Sequence, residues 1–356
     1  MSLPLTLPTE RSAAVPGRIV QLDGLRAIAI CAVLAGHVLQ LPLGWVGVDI
    51  FFVLSGFLIT GILLARKRSG GGYFSYFYRR RIFRILPAYA VSIVAGGLLF
   101  AWWFFKPWPL FMFFGMNLQP LWWPQPAIIM SFWSLAVEEQ FYLLWPIVIL
   151  LVSETLLLRV ALAVVVLTPL LRVLCTPLFP THFYIYMLTP FRADLLCAGA
   201  VLALLWKDRT PNFERLCRTR AWIGCVAGFG GLALLQAWPV FRLFSNTRSS
   251  NGLDYSLSLV GSASLLAWAL ADTSWLRQFL STRPLRYIGE ISYTMYLIHL
   301  YLLVKIEAHV HSRALQFILV LAGTVLWASV SWFVMERPLI RFAARGGHRK
   351  HTATEA

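Results

Sequence analysis

Hydrophobic residues run through this chain in long, nearly unbroken stretches and not in stripes three or four residues apart. A water-soluble helix shows one apolar face, whereas a helix apolar all round is buried on every side, in a core or in lipid. A membrane span needs about 20 mainly apolar residues. On that criterion ten segments qualify, roughly 25–42, 47–65, 85–105, 133–152, 156–173, 190–206, 221–239, 254–271, 290–306 and 315–335. The pattern predicts an all-α, polytopic integral membrane bundle of about ten transmembrane helices.

Composition removes the rival of one large soluble helical domain. Hydrophobic residues make up 59% of the 356 and charged residues 13%, too little polar surface to keep such a domain in water. Residues 1–17 are polar and contain Pro, so no cleavable signal is expected and the first span should persist. The expected organisation is a cytoplasmic N-terminal segment over 1–17, one transmembrane domain over 18–345 and a short cytoplasmic tail over 346–356.

The formal net charge of +16 would suggest a nucleic-acid partner in a soluble protein. Here the cations lie between apolar stretches, where they orient helices and meet anionic lipid headgroups, so membrane lipids are the expected partner and nucleic acid is not. With the N-terminus inside, Arg66, Lys67, Arg68, Arg79, Arg80, Arg81 and Arg84 fall in one cytoplasmic connection. Lys207, Arg209, Arg215, Arg218 and Arg220 fall in the next, then Arg277, Arg283 and Arg286, then Arg341, Arg345, Arg349 and Lys350. A wrong span count would invert the later loops and destroy this asymmetry; both termini are expected in the cytoplasm.

Cys31, Cys175, Cys197, Cys217 and Cys225 are scattered, without CxxC pairs or histidines at ligand spacing, so neither a disulfide framework nor a metal site is expected. The connection from Trp102 to Trp133 holds six of the fifteen tryptophans, at 102, 103, 108, 122, 123 and 133. Two readings stay open for them: an interfacial aromatic belt, or a platform for stacking a sugar ring.

Ionisable side chains within spans are costly in lipid and usually line a cavity or pair with one another. Arg26 and His37 stand eleven residues apart in the first span, on nearly one face and about 16 Å apart. That separation matches an extended phosphopantetheine arm, with a cation for a coenzyme A phosphate at one end and an imidazole for the thioester at the other; the bland alternative is a snorkelling Arg and a His bonded across helices. Asp49 at the start of the second span reads equally as an N-cap or a catalytic carboxylate. Arg79, Arg80, Arg81 and Arg84 read as an anion clamp, since guanidinium bonds phosphate bidentately, or as topology determinants. Gly70, Gly71 and Gly72 precede them without the lysine and hydroxyl residue of a phosphate-binding loop. In the fourth span adjacent Glu138 and Glu139 must point in different directions, and one facing a buried imidazole would orient it. Arg192 and Asp194 suggest a buried salt bridge. Near the ninth span's start Tyr293, Tyr296 and His299 suggest hydrogen bonds across helices.

Seven ordered strings, LDGLRAIAICAVLAGH, GVDIFFVLSGFLIT, RRRIFRILPAY, SFWSLAVEEQFYLLWP, RADLLCAG, ISYTMYLIHL and MERPL, together resemble the acyltransferase-3 family of membrane acyltransferases over about Arg18 to Arg337. The resemblance implies about ten transmembrane helices in a bacterial inner membrane and transfer of an acyl group, acetyl above all, from cytoplasmic acyl-CoA. It implies as acceptor a hydroxyl of a carbohydrate or glycosylated molecule, such as a cell-surface polysaccharide or its lipid-linked precursor. It implies His37 as the essential histidine, Arg26 as its partner, Arg80, Arg81 and Arg84 as acyl-CoA contacts, and Glu138 in preference to Glu139 as the catalytic glutamate. Asp49, Ser134, Tyr142 and Arg192 are the residues expected to bind the acceptor or support the site. Some members carry a fused SGNH domain; this sequence reads as a stand-alone form. Two other function classes compete: a transporter or flippase of a glycolipid, because intramembrane charges also line transport paths, and an inactive sensor or scaffold.

Overall fold

The structure is a computed structural model that describes residues 19–69, 72–121, 129–208, 210–238, 241, 245–271 and 274–345. The expected terminal segments 1–17 and 346–356 lie outside the described residues, as do Gly70, Gly71, Trp122, Trp123 and Arg209. No strand occurs among the described residues, and each of the ten expected spans falls on helix. They are α1 (Gln21–Val38), α2 (Val46–Ser69), α3 (Tyr73–Phe100), α4 (Phe132–Leu151), α5 (Glu154–Cys175), α6 (Ala193–Asp208), α7 (Ala221–Leu235), α8 (Arg248–Leu270), α9 (Arg283–Glu307) and α10 (Arg313–Ser331).

Among the described residues seven of these helices are long and apolar enough to cross a membrane: α1 to α5, α8, and α10 with its continuation to Ala344. The other three deviate for visible reasons. Helix α6 has 16 residues and reaches only about 24 Å. Helix α7, which contains a π turn at Val226–Gly230, is also too short, reaching only about 22 Å. Helix α9, with 25 residues, is long enough but carries Arg283, Arg286, Glu290, Lys305 and Glu307. The chain is an all-α, multi-pass membrane bundle whose lipid-facing surface includes Leu98, Leu151, Val166 and Val334, all at least 69% exposed.

The helix ends follow from local chemistry. Ser153, Thr247 and Ser312 accept from the backbone N–H groups of Leu156, Ser250 and Leu315, satisfying donors that the first turns of α5, α8 and α10 leave free. At the far end of α4, Lys67 of α2 donates to the carbonyls of Ile149 at 2.6 Å and Val152 at 2.8 Å, matching a cation to the negative end of the helix. Pro146 has no N–H for the carbonyl of Tyr142 one turn earlier. The Tyr78 hydroxyl donates to it instead, at 3.4 Å.

Missing side chains set the closest helix contacts. A Cβ on Gly56 of α2 would lie 1.9 Å from the Leu196 carbonyl oxygen, and one on Gly199 of α6 would lie 2.1 Å from that of Val53, so these two backbones touch. Helix α1 is pinned at both ends in the same way. A Cβ on Gly289 of α9 would lie 1.7 Å from the Asp23 oxygen, and Gly36 abuts Gly44. Both Arg26 and His37 are thereby fixed in height against their neighbours.

Two ion pairs are sealed between α2, α5, α6 and α8. Arg192 meets Asp49, whose second oxygen accepts from Ser258 at 2.6 Å. Arg172 bonds Asp194 at 2.7 Å and the Phe191 carbonyl at 2.8 Å. All four charged side chains are at most 1% exposed. The pairing differs from the expected Arg192–Asp194 bridge. Asp194 lies in the first turn of α6 and Arg192 just before that helix, so the two side chains leave in different directions and each finds a charge on another helix. Asp49 does not cap α2, which begins at Val46; its carboxylate points sideways into the bundle.

Candidate active site

One end of the bundle opens into a cavity of about 860 Å³ lined by Asp23 and Arg26 of α1, Arg66 and Arg68 of α2, Tyr76, Phe77, Arg80, Arg81 and Arg84 of α3, Lys207 of α6, Glu290 of α9 and Trp332 beyond α10. Helical spacing accounts for the α3 face: Phe77, Arg80, Arg81 and Arg84 are three or four residues apart and stack along one side. Apolar walls from Phe57, Leu58, Gly61 and Leu64 complete the volume.

The cations are not equivalent. Arg26 is paired with Asp23 at 3.0 Å, Arg68 with Glu154 at 3.0 Å, and Lys207 with the same glutamate. Arg66 sits over the Tyr76 ring, its Cζ 3.3 Å from the centroid, and Arg80 donates to the hydroxyl of that tyrosine. Arg81 sits over Tyr142 at 5.0 Å and over Phe77 at 5.7 Å. Four arginines, 66, 80, 81 and 84, therefore face the cavity with no carboxylate among the described residues ion-paired to any of them. That excess of guanidinium on aromatic supports suits an anion with several phosphate oxygens.

Glu138 is half-buried between α2 and α4; Ser55 donates to its Oε1 at 2.6 Å and Tyr142 to its Oε2 at 3.4 Å. Glu139, one residue on, leaves Oε1 buried and unbonded. Of the two, the glutamate expected from sequence, Glu138, is the one held by hydroxyls. Neither is bonded to His37.

The partner of His37 is His299. Nδ1 of His37 lies 2.9 Å from Nε2 of His299, with ring centroids 5.0 Å apart and tilted by 30°. His299 is completely buried, and its Nδ1 lies 2.6 Å from the Tyr296 carbonyl oxygen of its own helix. His37 is exposed. The Tyr296 hydroxyl shares a hydrogen with Ser134 at 2.6 Å, and the Tyr296 ring packs 5.5 Å from that of His299. Tyr293 points elsewhere, donating to the Ile85 carbonyl at 3.2 Å.

The expected site residues thus divide into groups. Arg26, Arg80, Arg81 and Arg84 share the basic cavity. His37 and Ser134 belong to the histidine cluster, Glu138 and Tyr142 form a pair between them on α4, and Asp49 and Arg192 lie in the sealed ion pair. The basic cavity's lining includes neither His37 nor Glu138. Of the tryptophans weighed as a platform, Trp108 is 56% exposed while Trp133 is buried against Phe52 and Tyr186. These two do not share one surface; the side chains of Trp102 and Trp103, like Trp122 and Trp123, lie outside the described residues.

Sequence reasoning passed over Tyr76 and Trp332, and read Arg66 and Arg68 only as topology signals. For Tyr76 a signal existed, since it precedes Arg80 by four residues on α3 and shares its face. For Trp332 there was none: it opens a π turn, Trp332–Glu336, that displaces the helix surface by a fraction of a turn. That turn also directs Glu336 inward, where it accepts from Thr294 and Ser331, each at 2.7 Å. Among the described residues no group of three or more His, Cys, Asp and Glu side chains is placed to hold a metal ion.

The chain is 30% identical over 373 residues to YrhL of Bacillus subtilis (strain 168), an alignment covering 93% of the chain and 56% of that protein. It is 29% identical over 365 residues to the peptidoglycan O-acetyltransferase OatA of Listeria monocytogenes, covering 90% and 56%, and 28% identical over 358 residues to the O-acetyltransferase OatA of Staphylococcus aureus, covering 91% and 57%. The chain spans a little over half the length of these curated relatives. No solved structure matches it. Residues 19–335 match the acyltransferase-3 model, described as an acyltransferase domain, and the chain belongs to that family.

Proposed function

We propose that this protein is a membrane O-acyltransferase that moves an acyl group, acetyl in the first instance, from acyl-CoA to a hydroxyl of a carbohydrate or glycosylated acceptor. The observation that carries the reading is the arrangement along α1. Arg26 faces a cavity in which Arg66, Arg80, Arg81 and Arg84 have no carboxylate among the described residues ion-paired to them, and about 16 Å further along the same helix His37 presents an exposed imidazole held at one nitrogen. The cavity takes the phosphates of coenzyme A on Arg66, Arg80, Arg81 and Arg84, and the pantetheine arm runs along α1 toward His37.

In this reading His37 removes the proton of the acceptor hydroxyl as its oxygen attacks the thioester carbonyl. Imidazole suits that task at neutral pH. The new C–O bond forms, the C–S bond breaks, and the departing thiolate takes the proton back from the imidazolium. To the charge that develops on the carbonyl oxygen we assign the hydroxyl pair of Ser134 and Tyr296, bonded to each other at 2.6 Å beside His299. Listeria OatA, named for peptidoglycan O-acetylation, supports a cell-wall polysaccharide as the acceptor class. The excess of cations at the cavity end supports its lying on the cytoplasmic side.

The test uses purified protein in nanodiscs with labelled acetyl-CoA and a peptidoglycan fragment. Wild type is expected to label the fragment, and His37→Ala, folded and still binding CoA, to lose transfer by at least about 100-fold. Full transfer by that variant removes His37 from the chemistry. Movement of an unmodified glycolipid across the bilayer, without acyl transfer, would establish the transport reading instead.

A further inference from the structure

We infer that His299 is a positioning residue that fixes His37 as its Nδ1–H tautomer, leaving the lone pair of His37 on Nε2. The inference deepens the proposed function, on which it rests only in taking His37 as the base.

The reasoning starts at the Tyr296 carbonyl, which can only accept. At 2.6 Å from it, Nδ1 of His299 must carry hydrogen. A neutral imidazole has one N–H, so Nε2 of His299 is then a bare acceptor. That nitrogen lies 2.9 Å from Nδ1 of His37, a distance that requires one hydrogen between them. With His299 unable to supply it, His37 Nδ1 is the donor and Nε2 holds the lone pair. A second proton on His299 would reverse the order, but it would place a charge on a ring with no solvent exposure, whose two nitrogens face a carbonyl and an imidazole and no carboxylate, an environment that disfavours the charged form.

The surroundings hold His299 in this role. Its ring packs against Tyr296, whose hydroxyl is tied to Ser134 on α4 and whose ring meets Phe51 edge-on at 6.3 Å. The hydrogen bond to the helix's own backbone fixes the ring orientation without any carboxylate. When His37 takes a proton on Nε2, its Nδ1–H still points at a good acceptor, so the imidazolium is stabilised where it forms. A carboxylate commonly does this for a catalytic histidine; here a second histidine, wired to a backbone carbonyl, takes its place.

Two measurements test this. Protein labelled with 15N-histidine in lipid bilayers, with signals assigned through His37→Ala and His299→Leu, is expected to show His37 protonated at Nδ1 and bare at Nε2 at neutral pH. The Nε2–H form in wild type overturns the inference. In parallel, His299→Leu is expected to lower kcat by about 100-fold or more with the KM for acetyl-CoA within about twofold. His299→Gln, whose amide oxygen can accept at the position of Nε2, is expected to recover to within about tenfold of wild type. Gln as inactive as Leu, in protein that is folded and binds CoA, also overturns it. The two readings fail separately. If His37 shows this tautomer but His37→Ala transfers fully, the proposed base is wrong and the tautomer stands; if His37→Ala is inactive and His37 carries Nε2–H, only the role of His299 falls.

Discussion

The hydroxyl of Ser55 donates to Oε1 of Glu138 at 2.6 Å, binding α2 to α4 across 83 residues of sequence. Tyr142, one turn below on α4, donates to the other oxygen and carries Arg81 over its ring. Glu138 is thus the joint between the basic cavity and the polar residues on α4 that lead to the histidine cluster.

Its charge and its shape can be separated. Glu138→Gln keeps an acceptor for Ser55 but removes the carboxylate. Transfer is expected to fall by about 100-fold if the charge acts in catalysis. Ser55→Ala leaves the carboxylate in place with one bond fewer, and is expected to cost about 1–3 kcal/mol of stability with less than a tenfold change in rate. Steady-state kinetics with melting curves on both variants checks this, and a fully active Glu138→Gln would reduce the residue to a structural strut.

Neutralising the cavity arginines should act on donor binding. The triple change of Arg80, Arg81 and Arg84 to Gln is expected to weaken CoA affinity by at least about tenfold, while kcat at saturating donor changes less. Isothermal titration at two salt concentrations provides the readout, because phosphate contacts of this kind weaken as salt rises. Unchanged affinity in the folded triple variant would leave these arginines as topology determinants only.

The sealed pair of Arg192 and Asp49 makes a stability prediction. Asp49→Asn strands a buried guanidinium and is expected to cost about 3–5 kcal/mol, whereas replacing both members with apolar residues of similar volume should recover most of the loss. Thermal unfolding in detergent measures both. A single variant that melts with wild type would show that the pair contributes nothing net.

Helix contact at Gly56 and Gly199 is a strict steric demand on the bundle. Gly199→Leu would drive a side chain into the Val53 carbonyl 2.1 Å away, where backbone cannot yield, and folded yield should collapse. A Cβ on Gly61 of α2 would meet nothing within 4 Å, so Gly61→Ala should express as wild type. Size-exclusion profiles of fluorescent fusions compare the two.

Much of this architecture was legible along the chain. Ten apolar stretches located ten helical segments, because lipid forces each spanning backbone to satisfy its own hydrogen bonds and so leaves a mark roughly 20 residues long. The arginine face of α3 was equally plain, since its residues are neighbours through helical periodicity alone. Partner choice was not. Arg192 and Asp194 are near neighbours in sequence, yet Arg192 bonds Asp49 and Asp194 bonds Arg172. Pairing between helices depends on rotation about their axes, which apolar periodicity all round a span does not record.

The sequence by itself determined the class of molecule, the places of ten helical segments, the basic connection and the two ends of the Arg26–His37 ruler, since hydropathy, charge and a rise of about 1.5 Å per residue are local quantities. Only the tertiary structure decided that His299, 262 residues away, is the group against His37, that Glu138 turns to Ser55 and Tyr142, and that four arginines face the cavity without a carboxylate ion-paired to them among the described residues. Those outcomes rest on which helices touch and at what height, and that is set by glycines such as Gly56, Gly199 and Gly289, whose absent side chains let particular backbones meet.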